Sequence, residues 1–496
     1  MAILLENKTL DLTSNINLTS KNAVELKLNI TEEEANSVIN SNARACLDYV
    51  NALKNEVRYG GKVYFNFITN VGELKKCEAG VEFSYKVDVN GVEEGDVVNS
   101  KLYVENVKVS VINGIATATC ALVFDASVEK TSELEYLKSI DGANCKREDC
   151  VNSVRLASED KSFTVEEEFD LNYLVDDVIS HIENVKIISA LCGIGSVVVS
   201  GEIELNTINI QGEEKLLASE IRVIPFRLEH EISKAMPDLI SVCNLKLKDS
   251  NLKIVVDKNK NKSTVFIKAE LSLKTCLYEN LSTQRLVDAY FVDRELSFEK
   301  CSKKLVKRYG QKCIEYNLNS VVDAKFDKNT LLIAPAFAKI EQIEVKNCNN
   351  ESIFQGVIEL SVLKKDEAFG VESYLLPFEF SEKTDCNSTE ICDFTVTNVE
   401  LSRQDKGLLV KLNINIFVEL KDVLQTQFIQ KALEGDEKVV NTSAISVCIP
   451  NKGDSLWELS KSLGVSENDI LKTNPELEFP LTGEERVVVY RELKTN

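Results

Sequence analysis

The chain has 496 residues, 44% hydrophobic and 28% charged, with 20 Gly and 7 Pro. That is the balance of a folded globular protein, long enough for three or four cores and too poor in Gly and Pro for long disordered tracts. A net charge of −21 argues against nucleic acid as a partner, because affinity for a phosphate backbone depends on Lys and Arg neutralising it.

At the N-terminus, Ala2-Ile3-Leu4-Leu5 followed by Glu6 is too short for the apolar core of a signal peptide. No stretch approaches the ~20 apolar residues of a bilayer-spanning helix. The expected location is therefore cytoplasmic, where the 14 cysteines read as reduced thiols.

Up to residue 440 the dominant pattern is period-two alternation, the mark of half-buried strands, so a mainly β fold is expected. Val265, Ile267, Ala269, Leu271 and Leu273 alternate with Phe266, Lys268, Glu270 and Ser272; Val410 to Val418 repeats the pattern. A one-residue slip would turn either apolar row into water, so each strand has a defined inner face.

A long-range repeat overlies the alternation. Gly61-Lys62-Val63, Gly201-Glu202-Ile203 and Gly356-Val357-Ile358 open similar strands, and Phe83, Phe226 and Phe378 follow them by 22 (83 − 61), 25 (226 − 201) and 22 (378 − 356) positions. Pro225 and Pro377 precede the last two, where the first copy has Glu82; Asn106-Val107, Asn251-Leu252 and Asn398-Val399 come next. The glycines read as bulges or close backbone approaches, and the prolines as edge or bend positions. The division expected is 1–155, 156–298 and 299–440, each unit large enough to bury its own core, followed by a small domain at 442–493. Between units, 129–163 and 280–313 are polar and mixed, and short helices are expected there. Gly435-Asp436-Glu437 reads as a hinge and Lys258–Lys262 as a solvated hairpin loop.

Residues for catalysis are missing. Two histidines, His181 and His230, leave almost nothing for imidazole chemistry. Cys145 and Cys150 have neither redox nor zinc-ribbon spacing and read as free thiols in a loop. Gly193-Ile194-Gly195 lacks the third glycine of a dinucleotide turn, since position 198 is Val, and no phosphate loop exists. No enzyme, no catalytic residue, no metal and no cofactor is expected.

The last fifty residues carry the sharpest signals. Ile445–Ile449 alternates as a short strand. Ser455 and Glu458 then form a capping box, Leu456, Leu459 and Leu463 share one helical face, and Gly464 supplies a left-handed stop. Ser466 starts a second helix, Asn474-Pro475 ends it, and Arg486–Tyr490 closes a β-α-α-β unit.

These residues resemble the LysM family: Gly453-Asp454-Ser455-Leu456-Trp457, Gly464-Val465, Ile470-Leu471, Asn474-Pro475 and Leu481-Thr482-Gly483-Glu484 stand where that motif has them. The resemblance implies a shallow groove between two loops, formed by Gly453, Asp454, Ser455, Leu456 and Trp457 on one side and Asn474, Pro475, Glu476 and Leu477 on the other. The rest of the chain, through its Gly strands, its Pro-Phe strands and Val287-Asp288-Ala289-Tyr290-Phe291, resembles tandem SPOCS domains. Such copies followed by one LysM are similar to the SipL-like clostridial spore-coat morphogenetic proteins. The resemblance implies a non-enzymatic adaptor in the mother-cell cytoplasm, recruited to the forespore surface and coat. Its implied partner is the coat-basement ATPase (stage IV sporulation protein A), with self-association through the β units. Peptidoglycan or another N-acetylglucosamine glycan is the alternative ligand, for a cell-wall-binding protein.

Overall fold

The computed structural model describes residues 5–491 except 212–215, 325–329, 333–336, 349, 366–368, 405–406 and 439–443, so the expected boundary at 440–442 lies outside the described residues. The first unit comprises β1 (Leu5–Lys27), α1 (Glu32–Asn36), β2 (Val38–Leu53), β3 (Glu56–Asn70), β4 (Leu74–Asp88), β5 (Val97–Ile112) and β6 (Ile115–Ile140). The second comprises β7 (Asn144–Leu171), β8 (Asp177–Cys192), β9 (Ser196–Gln211), β10 (Leu216–Glu231), β11 (Ile240–Asp257) and β12 (Lys262–Tyr290). The third comprises β13 (Arg294–Val322), β14 (Leu331–Leu332), β15 (Phe337–Cys348), β16 (Glu351–Lys365), β17 (Phe369–Lys383), β18 (Ser388–Gln404) and β19 (Gly407–Glu437). A small module follows: β20 (Ile445–Cys448), α2 (Leu456–Leu463), α3 (Glu467–Thr473) and β21 (Val487–Tyr490).

The three units share one topology. The last long strand pairs antiparallel with the first strand on one side and with its hairpin partner on the other, giving sheets β1-β6-β5, β7-β12-β11 and β13-β19-β18. The middle strands form the meanders β2-β3-β4, β8-β9-β10 and β15-β16-β17. Each pair of sheets buries a core of its own: Tyr59, Phe65 and Phe124 in the first unit, Ile203, Leu205 and Leu271 in the second, Phe354, Ile358 and Ile414 in the third. The apolar rows Val265–Leu273 and Val410–Val418 are buried as the alternation requires.

The repeat of Gly and Phe has a structural cause. Gly61, Gly201 and Gly356 pair directly with Phe83, Phe226 and Phe378 across the meander. On their other side the neighbouring strand carries a bulge, at Leu47/Tyr49, Ile187/Ser189 and Ile340/Gln342. The bulge drives a backbone carbonyl at the glycine, so a Cβ there would overlap the oxygen of Cys46, Lys186 or Gln342, and at Gly201 and Gly356 also the Phe ring. Gly201→Ala should therefore cost about 1–3 kcal/mol through forced backbone movement, read as a lower urea midpoint; an unchanged midpoint would show that the bulge yields freely. Pro225 and Pro377 sit on the edge strands β10 and β17, where a missing N–H costs no ladder bond.

The polar segments between units are strands, not helices. β6 and β12 run on past their sandwiches and turn back at 141–143 and 291–293 into β7 and β13. In each unit the first and last strands continue as a two-stranded arm, such as Asn144–Ala157 against Leu277–Tyr290. Their composition looked mixed because an arm shows one face to water and gives the other to its neighbours. Leu12, Tyr136, Cys150, Leu305 and Phe428 make one shared core, and Leu137, Ile140, Leu286, Ala289 and Ile429 make another. The expected boundaries at 155/156 and 298/299 thus fall inside β7 and β13, and Gly435–Glu437 belongs to β19 instead of a hinge, with Glu437 opposite Arg294. The hairpin loop expected at Lys258–Lys262 is found between β11 and β12 at 258–261, with Lys262 opening β12 opposite Asp257.

Where the arms leave the sandwiches, charges from all three units interlock. Arg308 meets Glu129 (3.1 Å) and Glu419, Arg155 meets Glu129 (2.7 Å), and the Tyr278 hydroxyl donates to Glu129 (2.8 Å). At the opposite ends, Ile39 and Leu74, Ile179 and Leu217, and Phe369 form an apolar contact, again from all three units. Between the two junctions lies a chamber of about 1800 Å³ lined by residues of all three units.

Candidate functional site

The C-terminal module forms as its caps dictate. The Ser455 hydroxyl accepts the Glu458 N–H (3.3 Å) while the Glu458 carboxylate accepts the Ser455 N–H (2.9 Å), so two otherwise orphan groups satisfy each other. Gly464 closes α2 at φ 62°, and Ser466 caps α3. β20 and β21 pair antiparallel, Cys448 opposite Val487, and Leu459, Val465, Ile470, Leu481, Val487 and Val489 fill the core.

The nine candidate groove residues divide sharply. Asp454 accepts the Asn451 N–H on its carboxylate (2.9 Å) and the Leu481 N–H on its carbonyl (3.0 Å). Ser455 is consumed by the cap. Asn474 ties α3 to β21, donating to Ile470 O (2.9 Å) and Val488 O (2.7 Å) and accepting the Val488 N–H (2.8 Å). Leu456 and Leu477 are half-buried on the same core. Gly453, Pro475 and Glu476 are exposed. These last three are the fully exposed part of the candidate groove, and the half-buried Asp454, Ser455, Leu456, Asn474 and Leu477 add only their outer parts.

Trp457 does not join them. It is buried (8% exposed), and its indole N–H donates to Asp288 Oδ2 (2.9 Å) on β12 of the second unit. Lys461, one helical turn later, gives its ammonium to the same carboxylate (2.7 and 2.8 Å). The Tyr290 ring meets the Trp457 ring edge-on at 5.1 Å, and the Tyr290 hydroxyl donates to Val465 O (2.7 Å). Burial alone would raise the Asp288 carboxyl, but Lys461 and Trp457 outweigh it and hold the group below its ordinary range. Burial pushes the Tyr290 phenol up to about 12. The module is thus fixed to the second arm by one face of α2. Nothing in the sequence links Asp288 to residues 169 and 173 positions away, although Val287–Phe291 stands out as a motif.

The other chemistry-bearing residues serve packing. His181 Nδ1 accepts from the Lys76 ammonium (2.9 Å), and His230 Nδ1 pairs with Thr275 Oγ1 (3.1 Å); burial lowers both imidazoles below their ordinary pKa. Cys145 and Cys150 lie on strand β7, not in a loop, and five positions apart they point to opposite faces. All 14 cysteines are unpaired, and no cluster of three or more metal-ligating side chains exists among the described residues. No helix among the described residues is long and apolar enough to cross a membrane.

Compared with known proteins, residues 34–112 match the family described as "SipL, SPOCS domain". The match runs from α1 into β5 and falls on the unit in which Glu82 stands where the other two have Pro. No curated protein and no solved structure matches the chain. The first unit therefore carries a SPOCS-type sequence, and the fold is mainly β.

Proposed function

We propose that this chain is a non-enzymatic adaptor of spore-coat or envelope assembly, acting at the forespore surface from the mother-cell cytoplasm. Three SPOCS-like units (Leu5–Ile140, Asn144–Tyr290 and Arg294–Glu437) form its body, and a LysM module (442–493) docks the coat-basement ATPase, stage IV sporulation protein A. The observation that carries this reading is the division of the module's surface. Trp457 and Lys461 anchor it to the body while Gly453, Pro475 and Glu476 stay exposed. Such a module holds its outer rim at a fixed attitude to a large β body, which suits an adaptor. The SPOCS match supports a sporulation setting, and both histidines are tied to neighbouring side chains.

The rim is the place to test it. Glu476→Lys is exposed and should change stability by no more than ~0.5 kcal/mol, yet reverse a charge facing the partner. We expect capture of the coat ATPase from sporulating cells to fall about tenfold, the loss of one well-placed charge contact, with peptidoglycan pelleting unchanged. Asp454 is unsuitable, because its carboxylate holds the turn before α2. Should glycan binding disappear while ATPase capture persists, the protein is a cell-wall-binding protein and the adaptor reading fails.

A further inference from the structure

The chamber between the three units has an unusual floor. Lys101 on β5 donates to Ile391 O of the third unit (2.5 Å), while Lys274 on β12 donates to Val98 O (2.7 Å) and Lys246 on β11 to Ser100 O of the first unit. All three line the chamber and are half-buried. Among the described residues, none of these ammonium groups has a carboxylate oxygen within 4 Å. The protein treats its other buried cations differently: Arg155 and Arg308 share Glu129, Arg308 also meets Glu419, and Lys421 meets Glu390 and Glu419. Buried charges are normally paired, since desolvation of an unpaired ion is costly.

Carboxyl groups act on this floor only from beyond contact distance, Asp393 and Asp160 on Lys246 and Asp393 and Glu390 on Lys101, and burial pushes Asp393 up to about 6 in spite of Lys101 and Lys246. Burial brings Lys246 down to about 8, with Lys274 and Lys101 adding to the effect and Asp393 opposing it. Each ammonium has three donors; Lys101 and Lys274 each spend one on a carbonyl, and Lys246 spends one on Ser100 O and a longer one on Ser100 Oγ (3.4 Å), so donors remain for a further acceptor. We propose that the chamber binds a small multivalent oxyanion on Lys101, Lys246 and Lys274. The anion supplies the contacting counter-charge that these lysines lack, and because the three lysines and their carbonyl partners come from all three units, it braces the junction between them.

The test uses the full chain with pyrophosphate, inorganic phosphate and citrate as probes, each titrated at constant ionic strength against sodium chloride. Calorimetry and thermal melting should give saturable binding at one site per chain with a rising melting temperature, pyrophosphate binding more tightly than phosphate. Lys246→Met should weaken that binding about tenfold or more, as loss of a charge-assisted hydrogen bond does. Lys258→Met, in the exposed hairpin loop, should leave it unchanged. Melts without anion report whether each variant folds. If Lys246→Met does not fold, Lys101→Met gives the same reading. Non-saturable effects equal to those of sodium chloride for all three probes would overturn the proposal. So would saturable binding that survives Lys246→Met combined with Lys274→Met.

Discussion

Replacing Arg308 with Met should lower the unfolding free energy by about 3–5 kcal/mol, the range for breaking a buried ion pair from one side. Its guanidinium is 5% exposed and lies between Glu129, at 2%, and Glu419, at 8%, with the Tyr278 ring 4.0 Å away. Met keeps much of the volume but leaves two carboxylates without their cation. Arg155 and Lys421 still hold one oxygen each, so the loss belongs near the middle of that range. Because the cluster joins residues of three units, the destabilisation should appear as one cooperative shift in urea midpoint. Adding Glu129→Gln and Glu419→Gln to Arg308→Met should recover a large part, since the uncompensated charge is what costs most. Raising salt should not rescue the single variant, because screening acts weakly on buried charges. A loss under 1 kcal/mol would mean that water reaches this junction and the units are joined chiefly by their apolar arm cores.

Trp457→Ala should cost the module about 3–5 kcal/mol and release it from the second arm. The residue fills space against Tyr290 and donates to Asp288, so it serves both the module and its anchorage. Asp288→Asn separates the two roles, because it removes the charge that Lys461 needs while leaving the module intact. Calorimetry should then show the module melting apart from the body, where the unaltered chain melts in one transition. The same contact has a pH dependence of definite sign. The folded Asp288 carboxyl lies below its ordinary pKa, so the dock contributes fully above that value, and its contribution fades as pH falls through the lowered one. Acidification below about pH 4 should loosen the module of the unaltered chain and change nothing further in Asp288→Asn. A single transition in Asp288→Asn at all pH values would show that the ring contact alone holds the module.

Local structure was largely legible in the sequence. Alternation placed Val265–Leu273 and Val410–Val418 on inner faces, the caps at Ser455, Gly464 and Ser466 gave the module its β-α-α-β order, and the spacing of Gly to Phe marked real cross-strand partners. What escaped were contacts between elements distant in the chain. The arms read as polar, mixed segments with short helices because each strand of a two-stranded ribbon has one wet face, and the neighbours that bury the other come from the arms of the other units. Phe417 alternates outward from its own unit yet is 4% exposed, packed into the core of the second. Trp457 fits a ligand groove by motif and an anchor by structure, and no local pattern separates those roles. The lysines of the chamber floor are invisible for the same reason: in sequence each is a polar residue on an ordinary strand.

The dock also sets a valency. A body assembled from three separate copies of one unit would have three identical arms and could carry three identical modules. Here the copies are strung on one chain, their arms differ in sequence, and only the second offers Asp288 and Tyr290 to a module. In the adaptor we propose, this module therefore brings one grip to a partner for every three lobes. Through that grip alone it would decorate an array of partners one-to-one without tying two of them together, and cross-linking would fall to the lobes.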